Sequence, residues 1–109
     1  MPTTFDPMHI MQEADLVFFE TSSGVSKDLA QDFIQAKFPV IDLPGDFRLP
    51  ADIYKKWYKN EPTSDEAIQQ AHYSLADFYD NKVTYITNPG CYATGTLLAL
   101  APLAQNHLL

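Results

Sequence analysis

The residue with the clearest chemical potential is Cys91, the single cysteine in a chain of 109 residues. It follows Asn88-Pro89-Gly90, between a strand-like segment and an apolar segment typical of a helix. Where a turn leads into a helix, unpaired backbone N–H groups and the helix macrodipole favour thiolate over thiol. The pattern therefore predicts a nucleophile at Cys91, and a buried cysteine acting as a small hydrophobe is the alternative.

The run Asn88-Pro89-Gly90-Cys91-Tyr92-Ala93-Thr94 resembles the active-site segment of N-acetyl-γ-glutamyl-phosphate reductases. These arginine-biosynthesis enzymes belong to the semialdehyde dehydrogenase superfamily. Two more stretches agree with the family in order and spacing: residues 15–26, similar to a strand and a loop beside the nucleotide, and residues 40–49, which include Asp46-Phe47-Arg48-Leu49. The resemblance extends from about Asp15 to Leu109.

The chain also departs from the family pattern. It reads Thr21-Ser22-Ser23-Gly24 where a Pro-His-Gly run is usual, and Pro44 replaces a small hydroxyl residue. Its four glycines form no Gly-rich dinucleotide motif, and the family's catalytic His from a second domain has no counterpart. We expect residues 1–109 to form one partial NADP-binding domain ending in the catalytic-cysteine helix. The expected fold is α/β and Rossmann-like, with a mostly parallel sheet and flanking helices, but without the first Gly-rich βαβ unit and the second domain.

The resemblance implies NADPH-dependent reduction of N-acetyl-glutamyl 5-phosphate to N-acetylglutamate 5-semialdehyde. Cys91 would attack the acyl phosphate, expel phosphate and hold a thioester that receives hydride from NADPH. Backbone N–H groups near Cys91 would stabilise the tetrahedral oxyanion. We expect the isolated chain to be inactive, because a general acid/base must lie within hydrogen-bond reach of the reacting group.

Three residues are candidates for binding NADP(H). Ser23 would contact the cofactor through its hydroxyl, and Gly24 by letting backbone come close. Asn88 would orient the nicotinamide amide or a substrate oxygen. Its alternative role is that of a turn residue before a proline.

Arg48 and Gly90 are the candidates for binding the acyl-phosphate substrate. Arg48, the one guanidinium in the chain, can pair bidentately with a phosphate or carboxylate. Its alternative is an ion pair with Asp46 or Asp42 that braces the loop.

Two other functions are open. One is a related semialdehyde dehydrogenase that acts on an aspartyl or aminoadipyl phosphate. The other is a non-catalytic α/β module that associates with itself, and in either case we expect a homo-oligomer.

Composition bounds the partners. The net charge is −7 and the seven basic residues are scattered, so binding to nucleic acid is not expected. The three histidines and the single cysteine have no metal-ligand spacing, and the longest apolar stretch is too short to span a bilayer. One cysteine forms no internal disulfide, and no signal peptide is evident, which indicates the cytoplasm.

The elements that must position these residues can be read from periodicity. Apolar runs at 16–19, 40–43 and 83–87 predict strands, and we expect them to be parallel, with the first buried on both faces. Their carboxyl ends would bring the three site loops to one rim. The predicted helices are one capped by Ser26 that continues to Ala36, short pieces at 52–58 and 64–71, and residues 92–105.

Four local predictions accompany these elements. Thr63 and Glu66 have the spacing of a capping box. The aromatic residues at 54, 57 and 58 are expected to pack against the core, with a ligand platform or an oligomer contact as the alternatives. The Ala- and Leu-rich segment 92–105 suits a largely buried helix, with Gly95 allowing a close backbone and Pro102 kinking or ending it. Residues 1–12 would form a loop or a short helical turn.

Overall fold

The computed structural model describes residues 4–75 and 83–109. Its centre is a four-stranded, all-parallel sheet with the spatial order β1-β2-β4-β3, whose strands are β1 (Val17–Phe19), β2 (Val40–Asp42), β3 (His72–Tyr73) and β4 (Tyr85–Thr87). The sheet and its flanking helices confirm the predicted α/β architecture and the parallel strands. The two-residue strand β3 was not predicted, because a stretch this short carries no periodicity.

The described residues form six helices beside the sheet: α1 (Pro7–Glu13), α2 (Ser26–Leu29), α3 (Gln31–Gln35), α4 (Ala51–Tyr58), α5 (Asp65–Gln70) and α6 (Cys91–Gln105). The first lies where a loop or a helical turn was expected. It is started by Asp6, whose side chain accepts from the N–H groups of Met8 and His9, with Pro7 in the first turn.

Two capping predictions are wrong. Ser64, and not Thr63, begins α5, because its hydroxyl accepts the N–H of Ala67 at 3.2 Å. Ser26 does not cap α2. It is the first helical residue, and its hydroxyl donates instead to Asp46 at 3.1 Å.

The single helix predicted from Ser26 to Ala36 is divided into α2 and α3 at Ala30. The amide side chain of Gln31 donates to the carbonyl of Lys27 at 2.9 Å and to the hydroxyl of Thr63 at 3.0 Å. In a continuous helix that carbonyl would accept the backbone N–H of Gln31. A side chain has therefore taken the place of a main-chain donor.

The hydrophobic core lies on one face of the sheet. Phe33 of α3 is fully buried there, with ring centroids 5.8 Å from both Phe19 and Phe38. On the opposite face Phe18 is 61% exposed. The prediction that β1 is buried on both faces is therefore wrong.

No residue of α6 is buried within the described chain, so the prediction of a largely buried helix is wrong. Among the described residues, no neighbouring atom lies within 4 Å of where a Cβ on Gly95 would stand. The expected close approach of a neighbouring backbone at Gly95 is therefore not found there. The helix also continues through Pro102 to Gln105 rather than ending a turn earlier.

The aromatic residues of α4 divide between two environments. Tyr54 is fully buried, and Tyr58 stacks on it with centroids 4.8 Å apart. Trp57 is 69% exposed, with the Lys56 ammonium 5.5 Å from its ring centroid. Packing is confirmed for the first two, whereas Trp57 lies outside the core.

Across residues 4–75 and 83–109, none of the helices has the length and apolar character that crossing a membrane requires. The same residues contain no group of three His, Cys, Asp or Glu side chains placed to hold a metal ion.

Candidate active site

The carboxyl ends of β1, β2 and β4 meet at one edge of the sheet. The N–H of Leu43 donates to the carbonyl of Phe19 at 3.0 Å, and the N–H of Asn88 donates to the carbonyl of Asp42 at 2.8 Å. These bonds continue the parallel pairing past the last strand residues. The expectation that the three loops converge on one rim is confirmed.

Cys91 is the first residue of α6 and is exposed. Gly90 is the residue before the helix, and no side chain of the part of the chain that the structure describes caps the helix start. The first backbone N–H groups of a helix have no intrahelical partner, and they project outward from its N-terminus. The predicted location of the thiol is confirmed and the alternative of a buried cysteine is wrong, while its nucleophilic role stays a prediction.

Arg48 joins the loop after β2 to the turn before Cys91. Its Nε donates to the carbonyl of Asn88 at 2.7 Å, and its Nη2 donates to the carbonyl of Leu43. The expected ion pair with Asp46 or Asp42 is wrong, since among the described residues the guanidinium is bonded to backbone carbonyls instead.

An open cleft of about 570 Å³ lies beside the thiol. Arg48, Asn88, Gly90 and Cys91 line it, so four of the six candidate site residues meet in one place. A Cβ on Gly90 would stand 3.0 Å from Arg48 Nη1, so this glycine lets the guanidinium pack against the turn. The cleft thus combines a thiol, a cation and a helix start, the groups needed to attack an acyl phosphate.

Asn88 shows the geometry of a turn residue. Its side-chain Nδ2 donates to the carbonyl of Pro89 at 3.0 Å, while its own carbonyl accepts from Arg48. Because it lines the cleft, its side chain is also within the candidate site. Both roles considered for it therefore keep a structural basis.

Ser23 and Gly24 follow β1 at the same rim but do not line the cleft. Gly24 has φ +97°, a backbone conformation that side chains strain to adopt, and its N–H donates to both oxygens of Asp46 at 2.8 and 3.0 Å. The N–H of Gly24 is therefore already paired within the chain and is not left to donate to a cofactor. Ser23 is exposed, and its hydroxyl makes no hydrogen bond among the described residues.

A buried polar group lies beneath the rim. Asp42 is fully buried and accepts a short hydrogen bond from the hydroxyl of Tyr85. Burial raises the pKa of Asp42 to about 6, against the lowering effect of its hydrogen-bonding neighbours. Burial and the charge of Asp42 in turn raise the pKa of Tyr85, which keeps the phenol protonated as the donor.

Sequence reasoning missed the structural importance of Asp42 and Asp46. Asp42 is an acidic residue inside the predicted strand 40–43, and Asp46 lies in the turn-forming run that follows it. That placement was the available signal, because a carboxylate buried in such a run needs hydrogen-bond partners.

Residues 3–88 match the family model described as semialdehyde dehydrogenase, NAD binding domain. Curated relatives include an N-acetyl-gamma-glutamyl-phosphate reductase of Streptococcus gordonii, 58% identical over 93% of this chain and 30% of the relative. The Streptococcus sanguinis reductase is 59% identical over the same shares. An N-acetyl-gamma-glutamyl-phosphate reductase 2 of Lactiplantibacillus plantarum is 55% identical over 96% of this chain and 31% of the relative.

The chain spans about 30% of the length of these relatives. The family predicted from the residues around Cys91 is confirmed by matches that cover nearly the whole chain. The chain belongs to the semialdehyde dehydrogenase family, through the NAD-binding domain of that family.

Proposed function

We propose that this chain supplies the nucleophile and part of the cofactor site of an NADPH-dependent reductase of N-acetyl-γ-glutamyl phosphate. The observation that carries the proposal is the exposed thiol of Cys91 at the start of α6, in one cleft with Arg48. The names of the relatives supply the substrate.

In this proposal the thiolate of Cys91 attacks the acyl carbon. The C–S bond forms as the C–O bond to phosphate breaks, and inorganic phosphate leaves with the bonding electrons. Backbone N–H groups at the start of α6 stabilise the oxyanion, and Arg48 Nη1, which makes no hydrogen bond among the described residues, faces the departing phosphate. The product of this half-reaction is a thioester on Cys91.

The residues present fit part of a dinucleotide. Ser23 offers an exposed hydroxyl, and the buried Thr21 hydroxyl oxygen, two residues after β1, has no partner among the described residues. Ser23, Gly24 and Asn88 would hold the cofactor at the rim of the sheet. When bound, NADPH supplies the hydride that releases the aldehyde from the enzyme.

A chimeric reductase tests the proposal. This chain would replace the matching 102 residues of the Streptococcus gordonii relative, with reduction followed by NADPH absorbance. We expect activity in the chimera, none after Cys91→Ala, and none in the isolated 109 residues. Activity that survives Cys91→Ala would contradict the proposed nucleophile.

The same chimera separates the related dehydrogenases. Aspartyl phosphate and an aminoadipyl phosphate would be offered beside N-acetyl-γ-glutamyl phosphate. We expect N-acetyl-γ-glutamyl phosphate to have the highest kcat/KM. A higher kcat/KM for another acyl phosphate would assign the chain to the related dehydrogenase that acts on that substrate.

A second candidate function is self-association without catalysis. Leu97, Leu100 and Ala101 of α6 line an open apolar groove of about 580 Å³, and residues 91–109 contain no Lys, Arg, Asp or Glu. In a chain of net charge −7, this is where two copies approach with least repulsion. We propose a homo-oligomer, in the cytoplasm and without nucleic-acid or membrane partners, on the basis of these features and the composition.

A further inference from the structure

Asp46 is fully buried, and four donors surround its carboxylate. The N–H of Gly24 and the hydroxyl of Tyr54 bond to Oδ1, at 2.8 and 2.9 Å. The hydroxyl of Ser26 and the N–H of Lys27 bond to Oδ2, both at 3.1 Å. One side chain thus connects the loop after β1, the start of α2 and the buried tyrosine of α4.

We propose that Asp46 is a positioning residue that fixes the backbone of residues 22–27 for the cofactor, as a built-in anion. The inference rests on the proposed function, because it assumes that Ser23 meets the nucleotide. Two N–H groups and a hydroxyl that converge on one carboxylate are the donors that phosphate-binding loops offer to a ligand. Here they are occupied, so the loop is preorganised before any cofactor arrives.

The conformation of Gly24 shows what the carboxylate maintains. Its φ of +97° is adopted readily by glycine, but without a fixed acceptor glycine also populates the opposite sign. Asp46 accepts its N–H with both oxygens and thereby selects one conformation. The backbone of the adjacent Ser23 is then held in one place at the rim.

Asp46 also connects the two halves of the site. The same loop carries Arg48, whose N–H donates to the carbonyl of Gly45 at 3.2 Å and whose guanidinium holds the carbonyl of Asn88. A displacement of Asp46 would therefore disturb the cofactor loop directly, and the turn before the thiol indirectly through Arg48.

The test is removal of the carboxylate followed by chemical rescue. Asp46→Ala deletes three heavy atoms, the number that formate contains. We expect Asp46→Ala to weaken NADPH binding by about tenfold or more and to increase hydrogen exchange at the N–H groups of Gly24 and Lys27. Added formate should restore both, which a general loss of packing would not allow.

Two companion variants complete the test. Asp46→Asn keeps the shape but offers one acceptor oxygen, so we expect an intermediate loss of binding. Asp46→Asn also serves as the test variant if Asp46→Ala does not fold. Asp32→Ala removes an exposed carboxylate from α3 at the same cost in net charge and should bind NADPH as the parent chain does.

The possible failures are distinguishable. If the parent chain and the chimeric reductase bind no NADPH, the cofactor part of the proposed function is wrong, and this inference with it. If the parent binds NADPH and Asp46→Ala binds equally well, only the role of Asp46 is overturned. Loss of binding in Asp46→Ala and Asp46→Asn that formate does not restore in the former also overturns it.

Discussion

Arg48 commits Nε and Nη2 of its guanidinium to backbone carbonyls and leaves Nη1 beside Gly90. A planar, forked cation can hold two carbonyls and still present a third nitrogen, whereas a lysine ammonium on a flexible stem cannot fix the same geometry. Arg48 therefore has a structural use as well as the proposed contact with phosphate.

The first prediction concerns Gly90→Ala. Its Cβ would lie 3.0 Å from Arg48 Nη1, so the guanidinium must shift. We expect kcat/KM of the chimera for the acyl phosphate to fall about tenfold. In an Arg48→Lys background the same substitution should have a much smaller effect, since the two changes act through one contact. Additive effects in this double-mutant cycle would argue against the contact.

The second prediction concerns the pH dependence of stability. Because the pKa of Asp42 is raised to about 6, the folded chain binds this proton more tightly than the unfolded chain. The stabilising contribution of Asp42 to the free energy of unfolding is at most about 3 kcal/mol. It is fully present below about pH 4 and is lost as the pH rises through about 6.

Asp42→Asn should remove this dependence while leaving Tyr85 an acceptor. Urea unfolding of both proteins between about pH 4 and pH 7 measures it, and the difference between them isolates Asp42 from the other carboxylates. A parent and a variant with parallel stability profiles would show that Asp42 titrates normally in the fold.

For single residues, the sequence predicted the position of Cys91 but not the hydrogen-bond partners of Asp46. The first depends on a local order of strand, turn and helix, which is visible along the chain. The second depends on backbone donors 19 to 22 residues away, and main-chain N–H groups are the same in every sequence. The carbonyl partners of Arg48 were missed for the same reason.

Among the elements, two glycines allow a matched comparison. A Cβ on Gly45 would lie 2.1 Å from the Tyr58 hydroxyl oxygen, whereas one on Gly95 would have no atom of the described residues within 4 Å. As the third prediction, Gly45→Ala should lower the free energy of unfolding by about 1–3 kcal/mol, because the stacked tyrosine must move. Gly95→Ala should instead stabilise α6 by up to about 1 kcal/mol through helix propensity.

Urea unfolding measures the first change, and amide exchange within α6 measures the second. The two substitutions add the same methyl group, so opposite signs separate steric crowding from helix propensity. Equal destabilisation by both would mean that α6 is packed against something at Gly95.

The elements were predicted where periodicity is local and misjudged where a distant partner decides. Strands β1, β2 and β4 and helices α4 to α6 lie close to the predicted positions. The helix break at Ala30 depends on Gln31, whose side chain reaches Thr63 on a remote segment. Burial of α6 was inferred from its composition, but a helix is buried only if another element covers it.

At the scale of the whole molecule, the exposed apolar surface of α6 leads to the fourth prediction. We expect the isolated chain to form dimers or larger species in sedimentation at micromolar concentration. The paired changes Leu97→Gln and Leu100→Gln should shift it toward monomer, because both side chains line the groove.

Met8→Gln is the matched control, since Met8 is 64% exposed on α1, outside this groove. It should leave the association unchanged. A parent chain that sediments as a monomer would contradict the prediction, and an equal effect of Met8→Gln would indicate nonspecific stickiness rather than a contact through α6.

The order of the strands has a consequence for what such association can become. Among the described residues β1 and β3 are the outermost strands, and each has one side without a neighbouring strand. Main-chain pairing of β1 in one copy with β3 in the next would leave the same two edges at the ends of the pair. Growth of that kind is open-ended and would give ribbons. Association through α6 of two copies, face to face, would bury both apolar surfaces and end at a dimer.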